Sequence, residues 1–425
     1  MKILFQAYKA PPVNQPGAVR LFHLIRHLRA AGAEVFLHTS SNQTLFPQDE
    51  SLVVPALPIQ QIPTRDLRAR RAAKDRLAAH LDVAEKASPF RAWLHRLYHS
   101  YPFVLIVGDG GFTYSRKAVR SASELVTSEG ITHVFSSYRP WSDHLIAYRL
   151  KKKHPHLIWI ADFRDRPVDP LRRDVWWPRL QRWWQRHLLK RADVVTTVSD
   201  GLARHFREDH AKVLTLRNAL PEQPTGFMTA PVDRQFTLTY TGSLYPNLQS
   251  VDLLFQVIRK LINEEQLNPA HLSLHYAGKD GAVWQKWARK YTLGYMCHQH
   301  GLLTQQAAQA LQQKSQVNVL LSWSAVNYGG IMTAKLGAYL AARRPIVGIV
   351  NGPDDPELRA AIETTGGGKL FSTTAPNTAD ELEHFLLDLY RTWTFTGAVP
   401  WRLTPETLTS YTWPTQVSLL LEALT

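Results

Sequence analysis

The 425-residue chain has a single cysteine, Cys297, so an internal disulfide is excluded. It also lacks a spaced set of Cys and His residues, which excludes a structural zinc module. No run approaches the roughly 18 consecutive apolar residues that a membrane-spanning helix needs. The GxGxxG pattern of classical dinucleotide binding is missing, as are tandem repeats and low-complexity tracts. The opening MKILFQAYKAPP has only a short apolar run before Lys9 and Pro11-Pro12. It reads as a strand and a loop rather than a signal peptide, and a cytoplasmic location is expected. Negative charge is scarce: 35 Asp and Glu stand against 50 Lys and Arg, a formal charge of +15. Such a surface attracts phosphates, nucleic acid or an acidic membrane face. Without zinc, RRM or KH signatures, nucleic acid is not the expected partner.

What is present is enough apolar material, 44% of residues, for real cores. At roughly 100–200 residues per domain the length implies two to three domains. Short apolar runs alternate with helix-length segments: KILFQAY, EVFLHTS, FVLIVG (from Phe103), THVFSSY, LIWIADF, DVVTTVS and KVLTLRN, with helices predicted over 17–31, 114–128, 141–153 and 176–191. The near-continuous hydrophobicity predicts strands buried on both faces of a parallel sheet. A polar stretch from Pro221 to about Asp233 reads as a linker. A second series follows: FTLTYTGSL, LSLHYAG, YMCHQHG, VNVLLSW and PIVGIV. Two βα series joined by a linker predict an α/β chain with two doubly wound, Rossmann-like domains.

The basic charge is concentrated in the first series. Residues 64–99 read as a helical insertion with nine Lys or Arg against four Asp or Glu, and residues 171–191 carry seven against one. In the latter segment Trp176, Leu180, Trp183, Trp184, His187 and Leu188 recur at helical spacing, flanked by Arg179, Arg182, Arg186 and Lys190. Two readings stand: a helix lying on an anionic membrane or acceptor surface, or tryptophans packed in a core with solvated arginines.

Three signals carry chemistry. The loop APPVNQPG leads to Gly17, where a helix N-terminus favours an anion; a plain strand-to-helix turn is the other reading. The run Trp159-Ile160-Ala161-Asp162-Phe163-Arg164-Asp165 is a buried strand ending abruptly in charge, at the edge where ligands sit. Two carboxylates flanking an arginine there could position a hydroxyl or oppose developing positive charge; Asp162 is expected to face the ligand and Asp165 to pair locally with Arg164 or Arg166. An ion pair tying strand to helix is the alternative. Finally, Tyr328-Gly329-Gly330-Ile331-Met332-Thr333-Ala334-Lys335 places a glycine pair, an N-cap hydroxyl and a lysine at a helix start. A lysine there opposes the helix dipole, and an anionic ligand would explain it; a solvated lysine is the alternative.

Together with ADVVTTVSDGLARHF, KVLTLRNAL, YTGSLYPN, GIMTAKLGAYLAARRPIVGI and YTWPTQVSLLLEAL, the run WIADFRD resembles the GT-B glycosyltransferases of the family 4-like, bacterial cell-surface polysaccharide type. The resemblance spans essentially the whole chain. It implies an acceptor-side domain over residues 1–222, a donor-binding domain over 223–405, a closing helix over 406–425 that crosses back, and a cleft between the domains. It further implies a retaining, metal-independent transfer from a nucleotide sugar to a lipid-linked or cell-envelope saccharide, with no cofactor. Lys335 would hold the donor diphosphate, Gly17 would face it, and Ser243, Gly329, Gly330 and Thr333 would line the donor site. Three positions depart from the pattern: Ser243 stands where many members have arginine, Ala338 where a ribose-binding glutamate is usual, and Ala219 replaces a glycine. A transferase-fold binding protein or partner subunit without catalysis is the competing reading, and the oligomeric state is left open.

Overall fold

The computed structural model describes residues 1–64, 89–106, 111–171, 175–220, 232–245, 247–326, 328–399 and 405–424. Most of the basic insertion, residues 65–88, and most of the expected linker, residues 221–231, lie outside the described residues, as do Arg172 and Arg173. The chain divides into two compact units. The first is Met1–Val198 with Leu202–Leu216 and Val417–Thr425; the second is Ser199–Gly201 with Arg217–Gln416.

The first unit is built on seven strands: β1 (Lys2–Ala7), β2 (Glu34–Ser40), β3 (Ile59–Ile62), β4 (His133–Tyr138), β5 (Ile158–Phe163), β6 (Val194–Thr197) and β7 (Val213–Thr215). Their order is β3-β2-β1-β4-β5-β6-β7. All are parallel, with β1 in register Lys2↔Glu34 on one side and Ile3↔His133 on the other. The sheet is buried on both faces, as the continuous apolar runs require: Leu4, Phe5, Val134, Trp159 and Ile160 are fully shielded. Pro16 opens the helix Pro16–Ala30, where its missing N–H costs nothing and its fixed φ suits the first turn.

The second unit carries six parallel strands, β8 (Phe236–Thr241), β9 (Leu272–Ala277), β10 (Cys297–Gln299), β11 (Val317–Trp323), β12 (Ile346–Asn351) and β13 (Gly368–Ser372), in the order β10-β9-β8-β11-β12-β13. Tyr240, Tyr276 and Trp284 stack through its core, with ring centroids 5.5–6.0 Å apart.

Three elements differ from the sequence reading. The run beginning at Phe103 forms the short helix Phe103–Ile106 rather than a strand. The Val104 amide bonds the Ser100 carbonyl at 2.9 Å, a helical i→i−4 bond, and a five-residue apolar run cannot announce which period it will adopt. The sheet position beside β2 is taken instead by IQQI, whose residues are mostly exposed and carry little apolar signal. β13 was hidden by its glycines. At Gly368 φ is +151, and a Cβ would lie 2.6 Å from the Ile346 nitrogen.

Candidate functional site

In an open parallel sheet, ligands sit beyond the C-terminal strand ends where the strand order reverses. In the first unit that place lies between β1 and β4. A cavity of about 150 Å³ is found there, its wall including Lys9, Gly17, Ser137, Arg139, Asp143, Arg164 and Asp165. Gly17 is explained by close approach: a Cβ would come within 2.6–2.7 Å of the Arg164 guanidinium. Arg164 Nε donates to the Tyr138 carbonyl at 3.1 Å, and burial lowers the guanidinium's pKa, with Asp165 and Asp162 opposing. The Asp143 carboxylate is engaged, accepting the Tyr8 amide at 2.9 Å and Gln6 Nε2 at 2.9 Å. Three cations, Lys9, Arg139 and Arg164, and two carboxylates, Asp143 and Asp165, thus line the wall. The structure brings Gly17 and Asp165 together here, whereas Lys9, Arg139 and the packing role of Arg164 were missed in the sequence.

Asp162 is not in that cavity, which corrects the expectation that it faces a substrate. Its side chain has no exposed surface and pairs with the equally buried Arg20, Nη2 to Oδ1 at 2.9 Å. Ser137 Oγ and Thr196 Oγ1 each donate to it at 2.8 Å. Burial alone would raise the Asp162 pKa, but the Arg20 charge and these donors hold it below the usual carboxylate value. Arg20 Nη2 also donates to the Leu216 carbonyl at 2.7 Å, so the pair ties β5, the first helix and the segment after β7 together. The physical reason is direction: alternate residues of a strand point to opposite faces, and Asp162 points into the layer beneath the helix.

In the second unit the order reverses between β8 and β11. After β8 the chain turns through Gly242 at φ +121, a conformation that favours glycine. A Cβ there would also overlap Lys335 Cε. Lys335 lies in the first turn of the helix Ala334–Ala342 and lays its stem across Gly242. Its ammonium donates to the Tyr240 hydroxyl and, at 3.3 Å, to the Ser243 carbonyl, and sits 4.2 Å from the centre of the Tyr240 ring. Among the described residues no carboxylate lies within ion-pair distance of it. Burial lowers its pKa to about 7, with Asp280 opposing. Lys335 and Ser243 thus meet, Ser243 contributing its backbone carbonyl. Tyr240 and Gly242 were not foreseen.

The glycine pair requires a correction. The Gly330 amide donates to Asp355 Oδ2 at 2.7 Å and the Ile331 amide reaches the same oxygen at 3.3 Å. The Leu358 amide caps onto Asp355 Oδ1 at 3.2 Å. A buried carboxylate thus fills the place assigned to a ligand phosphate, and Gly329 lies against it, the position of its Cβ 3.6 Å from Oδ2. Thr333 occupies the N-cap position with extended backbone but makes no capping bond, and its Oγ1 has no hydrogen-bond partner among the described residues. Glu357, a carboxylate later in the chain that could serve in place of the one absent at Ala338, accepts the Asp200 and Gly201 amides at 2.7 and 2.8 Å. Among the described residues no cluster of three or more His, Cys, Asp or Glu is arranged to hold a metal.

The helix Pro178–Leu189 divides the two readings made of it. Trp184 and Leu188 are buried, Trp184 packing edge-on to Trp141 at 4.5 Å. Trp176, Leu180 and Trp183 are 37%, 39% and 58% exposed. Arg179, Arg182 and Arg186 are exposed as well, with Arg186 bonded to Asp209 at 2.7 Å. The expected single face is two faces, because neighbours such as Trp183 and Trp184 point about 100° apart on a helix. No helix among the described residues is long and apolar enough to cross a membrane.

No protein-family model and no curated protein sequence matches the chain. Solved structures do. The apo form of the lipopolysaccharide outer core galactosyltransferase WaaB is similar over 100% of this chain and 99% of its own, with a TM-score of 0.61 and 12% identity. An S. aureus TarM mutant in complex with fondaparinux, α-GlcNAc-glycerol and UDP covers 100% of both chains at a TM-score of 0.56 and 8% identity. A Listeria monocytogenes protein provisionally named a UDP-N-acetylglucosamine 2-epimerase covers 100% of this chain and 95% of its own at 0.55 and 11%. At these identities the likeness concerns architecture, and with two parallel sheets of seven and six strands the chain has the GT-B fold of such glycosyltransferases.

Proposed function

We propose that the chain transfers a sugar from a nucleotide donor to a lipid-linked or cell-envelope saccharide, with retention and without a metal or other cofactor. The observation that carries this reading is Lys335: a desolvated amine with no carboxylate partner among the described residues, at the strand edge where the order reverses. A diphosphate supplies the missing charge. In the transfer, the bond from the anomeric carbon to the diphosphate oxygen breaks and its electron pair leaves with the diphosphate. The acceptor oxygen bonds the same face of that carbon, and its proton passes to the departing phosphate oxygen. Lys335 stabilises the charge that develops on the leaving group. The test is a panel of nucleotide sugars assayed for nucleoside diphosphate release with and without saccharide acceptors. Release that depends on an acceptor supports the reading.

A second reading, nucleotide binding without transfer, is favoured by the engagement of the Gly330 and Ile331 amides with Asp355 and by the absence of a carboxylate at Ala338. On that reading the same panel yields binding but no release.

The exposed stripe Trp176, Leu180, Trp183 with Arg179 and Arg182 beside it supports the membrane-surface part of the proposal. Each basic residue near an anionic leaflet contributes about 1 kcal/mol. In liposome sedimentation the chain is expected to bind anionic vesicles and not neutral ones. Binding should weaken with salt and fall sharply when Arg179, Arg182 and Arg186 are changed together to Gln. Indifference of the wild type to anionic vesicles at low salt removes this part of the reading.

A further inference from the structure

A second cavity in the first unit, of about 580 Å³, shares no lining residue with the one at Gly17. Its size falls within the roughly 300–1,000 Å³ common for small-molecule sites. Its wall combines Arg166, Val168, Asp169 and Pro170 from the segment after β5 with Val175, Trp176, Pro178 and Arg182 at the start of the tryptophan-bearing helix. Arg96, His205 and Glu208 complete it.

The polar groups in this wall are incompletely used. The Arg96 guanidinium lies 4.3 Å from the centre of the Trp176 ring, yet its Nε is buried and has no hydrogen-bond partner among the described residues. His205 Nε2 is in the same condition. Burial lowers the His205 pKa and Arg166 lowers it further, with Glu208 and Asp209 opposing. Arg182 has no carboxylate partner among the described residues. Of the two acids in the wall, Asp169 is turned inward, buried and accepting the Leu171 amide at 2.8 Å. Buried polar atoms without partners are costly unless a ligand satisfies them.

The wall is also amphiphilic. Val168, Pro170, Val175 and Pro178 supply apolar surface beside the cations. Trp176 belongs both to the cavity and to the exposed stripe that continues through Leu180 and Trp183. A free sugar phosphate would leave that stripe in water, whereas a phosphate carried on an apolar chain covers it.

We propose that this cavity binds the phosphate group of an amphiphilic ligand, with the phosphate at Arg96, Arg182 and His205 and the apolar chain along Trp176, Leu180 and Trp183. Naming that ligand as the acceptor rests on the glycosyl-transfer reading; the binding itself does not.

The test is calorimetric titration of the full chain, without nucleotide sugar, using three probes: decyl phosphate below its micellar concentration, decyl glucoside with the tail but no phosphate, and glucose 1-phosphate with the phosphate but no tail. Decyl phosphate is expected to bind at least about tenfold more tightly than either of the others, and the Arg96→Gln, Arg182→Gln pair to weaken it by about tenfold or more. Arg182→Gln alone, at an exposed position, provides the same reading should the pair fail to fold. Trp183→Gln should weaken decyl phosphate and leave glucose 1-phosphate unchanged. Lys335→Ala should leave decyl phosphate binding intact while nucleotide binding falls, so failure of the donor-site reading and failure of this one are distinguishable. Equal binding of decyl glucoside or of glucose 1-phosphate, or indifference to the arginine changes, overturns the proposal.

Discussion

Lys335→Ala is expected to weaken nucleoside diphosphate binding by about tenfold to a hundredfold, the range for losing one charge-assisted phosphate contact, and to abolish donor use. Binding of nucleosides without phosphates should change little. Stability should move the other way. Burial holds the Lys335 pKa near 7 against 10.5 for an ordinary lysine. Between those values the unfolded chain binds the proton and the folded one does not, so the native state gains stability as pH rises through that window. Lys335→Met removes the group that titrates. It should raise the midpoint of thermal unfolding at pH 7 and flatten the rise toward pH 10.5. A residue that costs stability while its removal costs only binding has a ligand-directed role. A variant that binds diphosphates as well as the wild type places the donor site elsewhere.

Asp162→Asn should produce the largest loss of stability among the residues discussed. The substitution leaves Arg20, 2% exposed, without its counter-charge. Removing one member of a buried ion pair typically costs about 3–5 kcal/mol. The pH dependence has a definite sign. The folded-state pKa of Asp162 is depressed below 3.8, so its contribution is present above that value and is lost as pH falls through the folded value. Acid unfolding of the wild type should therefore steepen below about pH 4, and the Asn variant should lack that component. Turnover per folded molecule should survive. Retention of full stability with loss of turnover would restore Asp162 to a catalytic position.

These two residues mark how much the sequence disclosed. Both were conspicuous as charge at the end of a buried strand or in the first turn of a helix. What gives each its role lies far away in the chain. Arg20 is separated from Asp162 by 142 positions and Tyr240 from Lys335 by 95, and no local pattern reports such partners. Parallel strands were legible because burial on both faces leaves continuous apolar runs. IQQI was not, since an edge strand with exposed side chains has no such signature. In the helix Pro178–Leu189 spacing revealed that the aromatic residues recur. Only the position of the core decided that Trp184 turns inward and Trp183 outward. The loop glycines suggested open amides, but Asp355, 25 positions beyond Gly330, had already engaged them.

The central claim is that Lys335 receives the charge of a nucleotide diphosphate, and proton uptake on binding tests it most directly. Calorimetry at pH 8 in buffers of different ionisation enthalpy measures that uptake. With a pKa of about 7 in the free protein, Lys335 is mostly neutral at this pH, and an adjacent diphosphate returns its proton. The account predicts uptake approaching one proton per diphosphate bound in the wild type and none in Lys335→Met. Binding whose enthalpy is independent of buffer, or uptake that persists unchanged in the variant, would contradict it.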